Sequence, residues 1–266
     1  MKRVELTRRM IIDALVSALE PLSYVHALWE GGAAAFNRID EWSDIDVYMV
    51  VDDERVDDGF SAVEKALASL SPIKEKYETG KLPWPDVHQA FYRLEATGDY
   101  LLIDLAVLTL SSPEKFLDPK IHGNNVFHFN KAGKVQCSTM DPGEFAKKLS
   151  KRLKRLRARF DMFNIFIQKE INRGNSLQAI DLYHGITLAS LLEVTRIRYN
   201  PFHHNFRTHY ANHELPTDVI RKLERLYFVK DLADLQGKYE EASTRFMELM
   251  KCLQQEEKGK TVEGDL

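Results

Sequence analysis

The sequence is poor in cysteine. Cys137 and Cys252 are the only two in 266 residues. That number supports neither a disulfide framework nor a zinc-ligand set, so a reducing cytoplasm is the expected location. Long apolar runs are missing as well. The N-terminal stretch MKRVELTRRMIIDALVSALE breaks its apolar positions with charge. It reads as neither a secretory signal nor a membrane span, because each needs an unbroken apolar segment, and no membrane partner is expected. Charge of one sign is not in surplus either. With 37 Lys and Arg against 40 Asp and Glu, the formal net charge is −3, which excludes the broad basic field that drives bulk nucleic-acid binding. No internal repeat or low-complexity tract interrupts the chain. The tail from Gln254 to Leu266 is polar and reads as frayed.

What is present fits a soluble globular protein able to bury a core, as one large domain or two smaller ones: 44% of residues are hydrophobic and 29% charged. Leu6, Met10, Ile11, Leu15 and Leu19 recur at helical spacing within Val4 to Glu20, and Pro21 follows as a stop. Tyr24 to Trp29 reads as a strand that feeds Glu30 and the turn Gly31-Gly32. Ile45 to Val51 is the next strand. Ser61 and Glu64 have capping-box spacing and predict a helix from there to about Leu70. Pro83 and Pro85 mark a loop. His88 to Glu95 and Tyr100 to Leu110 flank Thr97-Gly98-Asp99 as an antiparallel hairpin. A second hairpin is predicted from Val126 to Phe129 and Lys134 to Cys137.

At Pro142 the pattern changes to helical period throughout. Phe145, Leu149, Leu153, Leu156, Phe160 and Phe163 form one apolar stripe. Leu177 to Arg198, Thr217 to Leu232 and Ala233 to Leu253 read as further helices. The predicted fold class is therefore α+β, a mixed-sheet domain over residues 1–140 followed by an all-α helical bundle over 141–266.

The chemistry concentrates in Ser43-Asp44-Ile45-Asp46-Val47. In a strand, residues i and i+2 share a face, so Asp44 and Asp46 project together while Ile45, Val47, Met49 and Val51 face a core. Two carboxylates that close repel unless a cation lies between them, and Mg2+ favours one or two carboxylates plus substrate phosphates. Gly31 and Gly32, upstream, let backbone approach a ligand closely. Asp104 interrupts the apolar strand Leu101 to Val107, an expensive position for an acid that is neither paired nor metal-bound. Three carboxylates on neighbouring strands can hold two Mg2+ ions for in-line phosphoryl or nucleotidyl transfer.

This order of parts, Gly31-Gly32, then Asp44-Ile45-Asp46 entering an apolar strand, then a late Asp104, resembles the DNA polymerase beta-like nucleotidyltransferase superfamily. The match spans Trp29 to Val107. With a helical second half, the chain looks nearest to the antibiotic (aminoglycoside and lincosamide) nucleotidyltransferase type. The resemblance implies that a nucleoside monophosphate moves from a nucleoside triphosphate, with ATP favoured, to a hydroxyl of a small molecule, and that pyrophosphate leaves. It implies Asp44, Asp46 and Asp104 as metal ligands and catalytic residues, with Asp104 nearest the attacking hydroxyl as general base. Gly31, Gly32 and Ser43 would cradle the phosphates. Many relatives have Gly-Ser at the turn, and the arginine that often follows is absent from its place; Arg38, a few residues later, would stand in for it.

The helical half would bind the acceptor. Between Glu144 and Phe160 lie eight basic residues, read mainly as the solvated flank of an amphipathic helix. Glu193, Tyr183 and Arg198 are the candidate acceptor-binding residues, with interhelical hydrogen bonding as the competing role of Tyr183 and Glu193. Arg198 and His203 also have the loose spacing of a helical ribonuclease motif, but Pro201 would break the helix that carries it. The alternatives are a nucleotidyltransferase that modifies a protein or RNA, and a non-enzymatic nucleotide-sensing module of the same fold. A nucleic-acid partner is disfavoured by the net charge, and a homodimer is left open.

Overall fold

In the computed structural model, which describes residues 5–263 apart from 81, 85 and 138, the first helix starts at a threonine cap. Thr7 accepts from the Met10 amide at 3.3 Å and opens α1, Arg8–Leu19. Its expected start at Val4 lies outside the described residues. The chain divides into two compact units, Met1–Thr139 and Met140–Leu266.

In the first unit, six strands form one mixed sheet among the described residues: β1 Val25–Glu30, β2 Ile45–Val51, β3 Ile73–Glu78, β4 Val87–Leu94, β5 Ile103–Thr109 and β6 Val126–Asn130. Their spatial order is β3-β4-β5-β2-β1-β6. Only the β2–β5 pair is parallel, and β4 and β5 are antiparallel neighbours as the first hairpin predicts. Helix α2, Gly32–Ala35, follows β1, and α3, Val56–Leu70, follows β2. Ile45, Val47, Met49 and Val51 are buried in one cluster with Ile11 and Leu15 of α1 and Val63 and Leu67 of α3. The other face is covered too, by a smaller cluster around Trp29, Val50, Ala106 and Leu108, where Trp29 stacks on Tyr48 at 5.5 Å.

Three local expectations differ from what forms. Ser61 lies inside α3, which begins five residues earlier with Asp57 and Asp58 in its first turn, where they suit the helix dipole. Glu64 instead accepts from the Tyr92 hydroxyl at 3.1 Å and pairs with Lys76. The second hairpin does not form: β6 pairs with β1, and the Asn130 side chain bonds the Val135 amide and carbonyl, turning the chain after a short 3-10 stretch at Lys131–Gly133. Strand β3, polar at most positions, adds an edge that its sequence did not advertise. Pro83 falls in a loop; Pro85 lies outside the described residues. A short α4, Pro119–His122, precedes β6.

The second unit is helical: α5 Pro142–Phe163, α6 Ile165–Arg173, α7 Ser176–Leu182, a π-helical turn at Tyr183–Leu188, α8 Ala189–Tyr199, α9 Ala211–Glu214, α10 Thr217–Tyr227 and α11 Leu232–Glu263. Asp141 caps α5 by accepting from the Glu144 amide at 2.8 Å. Leu153, Leu156 and Phe160 of the expected stripe are buried, and Phe160 stacks on Phe246 at 3.9 Å. Phe163 and Phe145 lie outside that core, Phe145 stacking on Phe202 instead. The tail expected to fray continues α11 to Glu263, and Gly264 to Leu266 lie outside the described residues. Among the described residues no helix is long and apolar enough to cross a membrane.

Candidate active site

Asp46 on β2 lies beside Asp104 on β5, as direct partners in the parallel register. Paired positions in a parallel ladder share a face. Here it is the face of Tyr48 and Val50, opposite the α1 and α3 side. Asp44 precedes β2 and is half-buried. The Leu102 carbonyl accepts from the Ile45 amide at 2.9 Å, so the two strands enter the sheet side by side. Burial, and after it the charges of Asp46 and Asp44, raise the Asp104 carboxyl to about 6 against the opposing bond from Gln89 Nε2 at 2.7 Å. Burial raises Asp44 as well, with the Leu102 amide and Arg8 pulling it down. Asp104 thus feels the charges of both other acids. Yet among the described residues no group of three or more His, Cys, Asp and Glu side chains is gathered closely enough to hold a metal ion. Asp46 and Asp104 thus form an adjacent pair, with Asp44 as a third acid at the strand entry.

The glycine turn lies against that pair. Gly31 donates its amide to the Asp46 carbonyl at 3.0 Å. Gly32 has φ +50, and a Cβ there would stand 1.8 Å from Asp46 Oδ2. This is the physical reason for Gly-Gly: a serine at the second position would displace the carboxylate and also strain the backbone. Ser43 is turned to its own loop, its hydroxyl donating to Asp40 Oδ1 at 2.7 Å and accepting from the Asp40 amide at 2.9 Å. Arg38 follows α2 with its guanidinium 5.0 Å from the Phe36 ring centre.

Four further features escaped the sequence reading. Glu30, buried at the end of β1, bonds Arg8 through one oxygen and His128 Nε2 at 3.0 Å through the other. Arg8 also donates to the Asp44 carbonyl, so one side chain ties α1 to both strands that lead into the site. Burial raises the Glu30 carboxyl, but the bonds to His128 and Arg8 hold it below its usual range. Gln89 orients Asp104. Trp42 and Tyr100, 60% and 71% exposed, meet edge to face at 5.1 Å on the loops just before Asp44 and β5. The only local signal for this group was an acid directly preceding Gly-Gly; the rest depends on remote segments meeting.

The helical unit places its three candidates apart. Glu193 accepts two bonds from Arg152, at 2.5 and 2.6 Å, and a third contact from His204 Nδ1 at 3.3 Å. Burial opposes these, yet they hold its carboxyl down at about 2. Tyr183 is fully buried and donates its hydroxyl to the Leu226 carbonyl at 3.1 Å, so it sits in the bundle core and reaches no open cleft. Arg198 pairs with Glu256 on α11. His203 is buried on Glu214 at 2.7 Å, separate from Arg198, and the ribonuclease spacing makes no joint site. Of the eight basic residues on α5, only Arg152 meets Glu193; most are exposed, as expected of a solvated flank.

No family model and no curated protein matches the chain. Solved structures align over most of its length. An aminoglycoside 6-adenyltransferase from Bacillus subtilis is 13% identical, covering 92% of this chain and 89% of its own, with a TM-score of 0.34. Spectinomycin adenyltransferase AAD(9) from Enterococcus faecialis, solved with ATP and spectinomycin, is 10% identical, covering 91% of this chain and 100% of its own, with a TM-score of 0.39. At scores of this size the α+β fold rests on the chain's own strands and helices, and its chemistry on its own side chains.

Those side chains can do three things in the first unit. Adjacent carboxylates can share a cation, and a glycine backbone can approach phosphate without steric hindrance. A carboxyl with raised affinity for protons can accept one from a hydroxyl near neutral pH.

Proposed function

We propose that the first unit is a nucleotidyltransferase domain that moves a nucleoside monophosphate from a nucleoside triphosphate to a hydroxyl of a small molecule. The observation that carries this reading is the Asp46–Asp104 pair on parallel neighbouring strands, with the Gly32 backbone packed so closely on Asp46 that no side chain fits. The donor set suits a hard cation: all oxygen, acidic, and crowded enough that Asp46 and Asp44 raise the proton affinity of Asp104. Asp44, Asp46 and Asp104 would hold Mg2+, which would supply positive charge to the phosphate oxygens when bound. The remaining work belongs to the chain itself. The Gly31-Gly32 turn admits the phosphates. Gln89 fixes one oxygen of Asp104 and leaves the other to take the acceptor's proton as the new O–P bond forms and the bond to pyrophosphate breaks. Trp42 and Tyr100 offer exposed ring faces for the base, a contact that tolerates any base and prefers purines, in keeping with ATP as donor.

The test is a thermal-shift screen of ATP, GTP, CTP and UTP, each with and without Mg2+, on wild type and Asp46→Asn. A nucleotide at ~100 times its Kd adds about 2.7 kcal/mol to stability. The expected result is a Mg2+-dependent shift in the wild type that disappears in Asp46→Asn. Absence of a shift with all four nucleotides overturns the reading.

A further inference from the structure

The second unit holds a cleft of its own, of about 850 Å3. Arg152 and Arg159 of α5, His184 and Gly185 of the π-helical turn, Glu193 of α8 and the 204–209 segment wall it. Its charge is the reverse of what an acidic residue in a bundle first suggests. Glu193, the half-buried acid, is already paired with the fork of Arg152 and in contact with His204. The other acid, Asp181, is exposed at the margin. Arg159 and Arg207 enter the same cleft, and among the described residues neither meets a carboxylate. Arg159 donates only to the Gly185 carbonyl, at 3.3 Å. Arg207 lies near Tyr227, where its charge opposes the upward push of burial on that phenol. Two guanidinium groups without a carboxylate partner among the described residues thus line one cleft.

The segment that carries Arg207 is held in a costly shape. Arg207 and Tyr210 have φ of +54 and +57, conformations that L side chains rarely adopt. The fully buried Arg196 pins that backbone, donating to the Arg207 carbonyl at 2.6 Å and to the His209 carbonyl, while it pairs with Glu214 at 2.7 Å. Opposite, α7 and α8 are joined through a π-helical turn centred near Gly185, an interruption found often at ligand sites. His184 donates to the Tyr227 carbonyl at 3.2 Å and stacks on that ring at 5.6 Å, which makes a flat wall.

We infer that this cleft is a binding site for a small organic phosphate, its phosphoryl group held by Arg159 and Arg207 and its body resting against His184 and Tyr227. The guanidinium fork matches phosphate oxygens in charge and geometry. A cationic ligand finds no free buried carboxylate there. The site lies wholly within the second unit and stands independently of nucleotidyl transfer in the first.

The test is calorimetric titration of the full-length chain with glucose 6-phosphate, glucose and inorganic phosphate. The wild type is expected to bind glucose 6-phosphate with one site per chain, inorganic phosphate more weakly, and glucose not at all. Arg159→Gln with Arg207→Gln is expected to weaken glucose 6-phosphate about tenfold or more, and Asp46→Asn to leave it unchanged. Arg159→Gln alone, an exposed helix position, gives a several-fold loss and serves if the double variant misfolds. Unchanged affinity in the arginine variants overturns the inference. So does loss of binding in Asp46→Asn, which would place the phosphate in the first unit, and so does a wild type that binds no phosphate compound at millimolar concentration.

Discussion

Gly32 shows how one missing methyl group organises the site. Its positive φ costs an L side chain about 1–2 kcal/mol, and its Cα hydrogen occupies the space that faces Asp46. Gly32→Ala is therefore expected to lower the unfolding free energy from urea denaturation by at least about that amount and to erase the Mg2+-dependent nucleotide shift, because Asp46 must turn away. A variant with wild-type nucleotide binding would show that the Asp46 orientation is immaterial. Asp104→Asn makes the opposite prediction for stability. It removes a half-buried charge repelled by Asp46 and Asp44 and retains an oxygen for Gln89. Its melting temperature should match or exceed wild type while turnover falls and nucleotide affinity holds, as read by pyrophosphate release beside equilibrium binding. Equal loss of turnover and affinity would make Asp104 a ligand without a proton-transfer role.

Among the elements, α5 and α8 are joined by the Arg152–Glu193 fork. The Glu193 carboxyl, normally at 4.5, is depressed to about 2 in the fold. A depressed carboxyl stabilises the folded state above its unfolded value and loses that contribution as pH falls through its folded one. With Arg152 partly exposed, solvent screens the pair, and its contribution at neutral pH is on the order of 2 kcal/mol. Glu193→Gln should be less stable by that amount at pH 7 in chemical denaturation, and the gap should close as pH falls from about 4 to about 2. The start of the same helix gives a second test. Asp141→Ala removes the acceptor for the Glu144 amide and should cost about 1 kcal/mol. The failed capping box at Ser61 is instructive beside it: both have the right spacing, but α3 begins earlier, and Glu64 finds Tyr92 and Lys76 across the sheet edge. Such patterns state what a cap could be; packing selects which one is used.

At the scale of the whole molecule, the two units bury separate cores. The clusters around Met49 and around Trp29 draw on residues before Ser138, and the cluster around Phe160 on residues after Met140. A fragment of residues 1–139 is expected to fold by itself, with strand-rich circular dichroism and a cooperative urea transition. A fragment with no transition would mean that the helical unit completes the first core. The division into a mixed sheet and a helical bundle was legible in outline because hydrophobic period changes near Pro142, from two to between three and four, and period is a property of neighbouring residues. Strand β3 was not legible. Its exposed face is polar, and it is held only as an edge by β4.

The sequence by itself determined what lies within reach of a few residues: the apolar alternation of β2, the paired spacing of Asp44 and Asp46, the glycine turn, and the amphipathic stripe of α5. It also placed Asp104 in an apolar strand, where an acid calls for a partner. Only the tertiary structure decided which partner. The parallel pairing of β2 with β5 sets Asp46 beside Asp104, Arg8 reaches from α1 to Glu30 and the Asp44 backbone, and Arg152 and His204 close on Glu193. Each of these contacts joins different elements of the chain. Its register depends on how many apolar side chains must be buried at once, and no short stretch of sequence carries that information.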